Sequence, residues 1–207
     1  MNSTSLILSE NFFSYEDYIR EVDAMVKNKS TSGPDQSEVM INYTYLNYKR
    51  MSRLNKTVTL DDEITESLER VGMQMIWIAI TEAWCGDAAQ NLPYIAKLAQ
   101  NSKNVNFKLI YRDENPEFMG RHLTNGAKSI PKLVAFKQGS NEEIFVWGPR
   151  PKPVQKMVMD NKRLPDDKRI AYSEFSKIVH TWYAKDKNST LRSELLHIFR
   201  SIKLSTI

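Results

Sequence analysis

An α/β fold built on a mixed sheet flanked by helices, with helical extensions at both chain ends, is predicted by three features of this 207-residue sequence. Four short apolar or alternating runs, Gln74–Ile80, Val105–Tyr111, Lys132–Lys137 and Glu143–Trp147, have strand length and cluster in the middle of the chain. Helix-compatible segments separate the first three, the arrangement of a sheet with helices packed on it. The stretches before and after carry helix caps and helical stripes.

Taken in order, Ser14 opens the first helix through a Ser-x-x-Asp pattern with Asp17, a capping-box arrangement, and the helix runs to about Asn28. Lys29-Ser30-Thr31-Ser32-Gly33-Pro34 breaks it. A second helix spans Ser37 to about Leu54. Its Ile41-Asn42-Tyr43-Thr44-Tyr45 patch also alternates as a strand would, but the length of the uninterrupted segment favours a helix. Asp61-Asp62-Glu63 places acids in the first turn of a third, shorter helix, where the dipole favours them. These elements form an N-terminal extension over residues 1–72. The core, 73–149, holds the first strand, a helix over Ala88–Ala99, the second strand and a short helix after Pro116. The last two strands follow, turned by Gln138-Gly139-Ser140 into a hairpin. Residues 150–207 form a C-terminal extension with helices near Pro153–Asn161, Tyr172–Ala184 and Leu191–Ile202. Leu191, Leu195, Phe199 and Ile202 make an apolar stripe on the last of them; it suits core packing, with a homodimer surface as the alternative. The three zones are expected to pack as one compact unit.

Composition excludes several classes. With 41% hydrophobic and 26% charged residues the chain reads as soluble and globular, and its longest apolar run is far short of a membrane span. Met1 to Ser9 lacks a basic n-region and offers only Leu6-Ile7-Leu8 as apolar content, so neither a secretory signal nor a membrane partner is expected. A single cysteine forms no intrachain disulfide, which fits a cytoplasmic home. His122, His180 and His197 are widely spaced, so no metal site is expected. The net charge of +4 conceals a basic end: residues 150–207 carry 13 Lys+Arg against 6 Asp+Glu. No aromatic-interleaved basic stripe accompanies it, so no nucleic-acid partner is expected.

Chemistry concentrates at Trp84-Cys85-Gly86-Asp87-Ala88. A buried strand there feeds a helix N-terminus, where unpaired N–H groups and the dipole favour a thiolate, the reactive species in disulfide exchange. Asp87 opposes that effect as a nearby carboxylate, and Glu82 is also close in sequence. Arg112, Lys128 and Arg150 are candidate electrostatic partners. Arg150 lies in Trp147-Gly148-Pro149-Arg150-Pro151, which also reads as a rigid turn into the next helix.

Trp84-Cys85-Gly86, then Asp113-Glu114-Asn115-Pro116 after a strand, then Ser129-Ile130-Pro131 before a strand ending in Lys137-Gln138-Gly139, together resemble a thioredoxin over about Gln74–Gly148. The resemblance implies a thioredoxin-like fold, with Pro131 cis and facing Cys85. It implies that Ile130 presents its backbone to an extended substrate segment, and that Trp84, Gly86 and Asp87 flank the bound group. It also exposes departures. The family's resolving cysteine is Ala88 here, and the place of its buried aspartate is Ala79, so no internal dithiol cycle is available.

The expected function is monothiol thiol–disulfide exchange, with Cys85 as nucleophile on a protein or small-thiol mixed disulfide. It needs no bound cofactor beyond an external thiol co-reductant. Two alternatives stay open: a redox-inactive module that binds a partner along the Ile130-Pro131 groove, and a peroxide-sensing cysteine cycling through sulfenic acid.

Overall fold

In a computed structural model of the protein, which describes residues 12–202, strands β1 (Met75–Thr81), β2 (Val105–Tyr111), β3 (Lys132–Lys137) and β4 (Glu143–Trp147) form one sheet. Their order is β2-β1-β3-β4. The central strand β1 runs parallel to β2, from Met75 opposite Val105 to Thr81 opposite Tyr111, and antiparallel to β3. β3 pairs antiparallel with β4, with a register irregularity between Ala135 and Phe136. Burial on both faces explains why β1 reads as a continuous apolar run rather than an alternating one: all its residues except Ile76 are buried. The α/β architecture with a mixed sheet flanked by helices is that predicted from the sequence.

The N-terminal helices start at the caps. α1 (Tyr15–Lys27) begins with the full Ser14–Asp17 capping box, α2 (Glu38–Thr57) is capped by Ser37, and α3 (Asp62–Glu69) by Asp61. The strand-like patch at 41–45 is helical. The buried positions of α2 are Thr44, Asn47, Met51 and Leu54, a 3-4-3 spacing that faces one side, while Tyr45 points outward. α4 (Gly86–Gln100) supplies the crossover between the parallel strands, and α5 (Pro116–Arg121) follows β2 with Pro116 in its first turn.

After β4 come α6 (Lys152–Arg163), a 3-10 turn at Asp166–Lys168, α7 (Tyr172–Asp186) and α8 (Ser189–Ser201). Lys187 and Asn188, both left-handed, reverse α7 into α8. Leu191, Leu195, Leu196 and Phe199 of α8 are buried, and the Phe199 ring stacks 5.9 Å from Trp77 of β1. The apolar stripe is therefore part of the chain's own core. α6 and α7 instead build a small second cluster around Val154, Val179 and Tyr183.

Among the described residues no helix is long and apolar enough to cross a membrane, and no cluster of three or more His, Cys, Asp or Glu side chains could hold a metal. Leu6-Ile7-Leu8, considered above for a signal segment, lies outside the described residues.

Candidate functional site

The site forms where β1 hands over to α4. The Cys85 N–H donates to the Glu82 carbonyl at 3.0 Å and closes a tight turn, so that Cys85 becomes the N-cap of α4. Its Sγ accepts from the Ala88 N–H at 3.4 Å and donates to the Ile130 carbonyl, also at 3.4 Å. The Ile130–Pro131 peptide is cis. Gly148, at φ +111°, lies so close to this turn that any Cβ there would collide with the Pro131 carbonyl oxygen. Ile130 is only 4% exposed and Pro131 is buried.

Cys85 itself is 6% exposed. Burial pushes its thiol up to about 12, and the Asp87 carboxylate adds to the rise; the Ala88 N–H and Arg150 pull the other way but do not win. The expectation that the helix N-terminus tips Cys85 toward thiolate is thereby corrected. A partial charge at a helix end is worth about 0.3–1 kcal/mol at an exposed site, less than the penalty for charging a thiol removed from water.

Asp87 points to the C-terminal extension. Its Oδ2 lies 2.6 Å from Arg150 Nε, and its Oδ1 accepts from the Tyr183 hydroxyl at 2.8 Å. Asn91 Nδ2 donates to both the Tyr183 oxygen and the Asp87 carbonyl. Burial still leaves the Asp87 carboxyl above its ordinary range, against the pull of Arg150 and Tyr183. Arg150 is thus more than a turn residue: its guanidinium pairs with Asp87 and donates from Nη1 to Gln155 Oε1 at 3.1 Å.

α7 covers this face. A Cβ on Gly86 would sit 2.9 Å from His180 Cε1, so glycine is what lets the two helices approach. His180 Nδ1 lies 3.1 Å from Gln90 Nε2, and burial, with Arg50 nearby, lowers the imidazole to about 4. From α2, Asn47 Nδ2 donates to the Ala83 carbonyl at 3.0 Å and braces the turn from a third side. Between Gly86, Asp87 and Arg150 on one side and α6–α7 on the other lies a cavity of about 300 Å³; Cys85 is not part of its lining.

On the opposite flank Glu82 is fully buried. It accepts from the Ser32 hydroxyl and, at 3.0 Å, from the Asp113 N–H, while burial raises its carboxyl. Arg112 donates to both Asp113 oxygens, at 2.7 and 3.1 Å, and its guanidinium carbon lies 4.8 Å from the centre of the half-buried Trp84 ring. Lys128 is exposed. Of the residues named from sequence, Trp84, Cys85, Gly86, Asp87, Ile130, Pro131 and Arg150 come together here, and Arg112 lies on the Trp84 flank. His180 and Tyr183 were missed: nothing in α7's own pattern marks them. Glu82 carried a signal, a charge directly after a buried strand that is apolar up to its last residue, Thr81.

These elements define a thioredoxin-like α/β protein. A family model described as thioredoxin matches residues 33–166, and the chain belongs to that family. Among solved structures it is similar to a protein of unknown function from Pseudomonas aeruginosa. The identity is 15% and the TM-score 0.56, over 92% of this chain and 99% of that one. An HIV epitope scaffold is similar to the same degree, at 15% identity and TM-score 0.53, over 92% of this chain and 100% of that one. At that identity the likeness speaks for the fold. No curated protein matches.

Proposed function

We propose that this chain is a redox-silent binding module of the thioredoxin family, in which Cys85 is kept as a structural thiol. The observation that carries this reading is the state of the sulfur: buried, bonded to the Ile130 carbonyl, and with its acidity suppressed to about 12. At neutral pH such a thiol stays protonated. The cation that could have activated it, Arg150, is paired with Asp87. The position where a resolving thiol would sit is Ala88, itself fully buried.

Monothiol exchange is the second reading, favoured by one feature: the Ala88 N–H already points at Sγ, as it would at a thiolate. That chemistry requires the sulfur to become accessible before it can attack.

Alkylation with iodoacetamide across the pH range, followed by intact mass after incubation with oxidised glutathione, separates the two. The binding-module reading expects alkylation ~100-fold slower than that of a free cysteine at neutral pH and no glutathione adduct. An adduct at neutral pH, or a titration midpoint below the free-cysteine value, would overturn it in favour of exchange. Fast trapping of a sulfenic acid by dimedone after peroxide, without an adduct, would overturn it in favour of peroxide sensing.

A further inference from the structure

We infer that the cavity between the N-terminus of α4 and the α6–α7 pair is a binding site for a small monocarboxylate with an apolar body; this deepens the binding-module reading and rests on it. The cavity, about 300 Å³, has the make-up of a ligand site rather than a packing defect: apolar walls and a few convergent polar groups. Val158, Ile170, Phe175 and Val179 supply the apolar side. The polar side is rich in donors. Gly86, the first residue of α4, a fifteen-residue helix, is part of the lining. Gln90 Nε2 donates to His180 Nδ1, which leaves the imidazole proton on Nε2, the ring nitrogen lying against Gly86. The half-buried Arg150 and the exposed Lys162 complete the lining.

The acid at the site decides the ligand's charge. Asp87 is the carboxylate in the lining, and Arg150 and Tyr183 already hold its two oxygens. It therefore has little left to offer a ligand donor, which disfavours an amine. It still carries charge in the lining, so a dianion such as phosphate meets more repulsion than a carboxylate does. One negative charge answers Lys162 and the part of Arg150 not facing Asp87, since a guanidinium presents five donors and suits carboxylate geometry. The walls then take an aromatic or branched aliphatic body.

The test uses the full-length, isotopically labelled protein, titrated separately with phenylacetate, phenethylammonium and inorganic phosphate, with amide and imidazole resonances as the readout. Phenylacetate is expected to shift Gly86 and His180 saturably, and more tightly than either other probe. Lys162→Glu, on an exposed side chain of the lining, is expected to weaken it about tenfold while leaving the rest of the spectrum unchanged. Ser176→Phe, which fills the cavity from α7, is expected to abolish the shifts. The inference is overturned if phenylacetate produces no saturable shift at Gly86 and His180, if phenethylammonium or phosphate binds as tightly, or if Lys162→Glu leaves the affinity unchanged. Each of these results can occur with Cys85 still inert, in which case the cavity assignment fails and the binding-module reading does not. A glutathione adduct on Cys85 overturns that reading whichever way the titration goes.

Discussion

Glu82 and Asp87 stand on either side of Cys85, three residues before it and two after, and the protein satisfies them by opposite means. Glu82 receives neutral donors, the Ser32 hydroxyl and the Asp113 N–H, one from the loop after α1 and one from the turn after β2. Asp87 receives a cation and a phenol, Arg150 and Tyr183, from the C-terminal extension. Both carboxyls are nonetheless raised, with burial the largest cause in each. The two extensions are thus parts of the site: each closes one flank of the turn around Cys85, and the sulfur is buried by the sum of what covers it.

The largest break in that comparison should come from Arg150→Gln. It leaves the Asp87 carboxylate buried with Tyr183 but no cation, and removing one partner of a buried pair costs about 3 kcal/mol. Urea unfolding at neutral pH should show that loss, and the double variant with Asp87→Asn should recover most of it. Equal stabilities for the single and double variants would mean that the pair carries no coupling.

His180 sharpens the same flank through pH. Its native pKa, about 4, lies below the ordinary value of 6.5, so between the two the unfolded chain binds a proton that the native chain refuses. Stability contributed by the neutral imidazole is present above pH 6.5 and is lost as the pH falls toward 4, by up to about 3 kcal/mol. His180→Gln should flatten this acid limb of a urea-midpoint profile. An unchanged slope would show that the imidazole is reached by solvent.

Glu82 should give the smallest effect, and of opposite sign. Its native pKa is raised, so the native chain holds a proton that the unfolded chain has already released. The contribution is full below the ordinary carboxylate range and is lost as the pH rises through Glu82's native value. Glu82→Gln, which keeps an acceptor for Ser32 or the Asp113 N–H, should therefore raise the urea midpoint at neutral and alkaline pH more than at acid pH. A uniform shift at every pH would point to packing rather than charge.

Much of the architecture was legible because it is written in local chemistry. Ser14 with Asp17, and Ser37, cap the helices they were expected to start, and Asp61, expected inside the first turn of the third, caps it instead; a side-chain oxygen satisfying a first-turn N–H needs only neighbours three residues away. Strands Val105–Tyr111, Lys132–Lys137 and Glu143–Trp147 have the predicted bounds. The ambiguous patch at 41–45 became helix because Thr44, Asn47, Met51 and Leu54 needed one buried face. The placement of Cys85 at the start of α4 was equally local.

What the sequence by itself determined, then, is the set of elements and the positions where chain turns bring chemistry together: Cys85 at a helix start, Pro131 before β3, Gly148 after β4. Only the tertiary structure decided what that chemistry is worth. Tyr183 reaches Asp87 across 96 residues, Gln90 meets His180 across 90, and Ser32 meets Glu82 across 50. No local pattern encodes those meetings, since helical spacing specifies which face is apolar but not which polar side chain at its edge will find a partner. The state of the thiol follows from them: an acidity depends on every group that displaces water from the sulfur, and those groups come from across the folded chain.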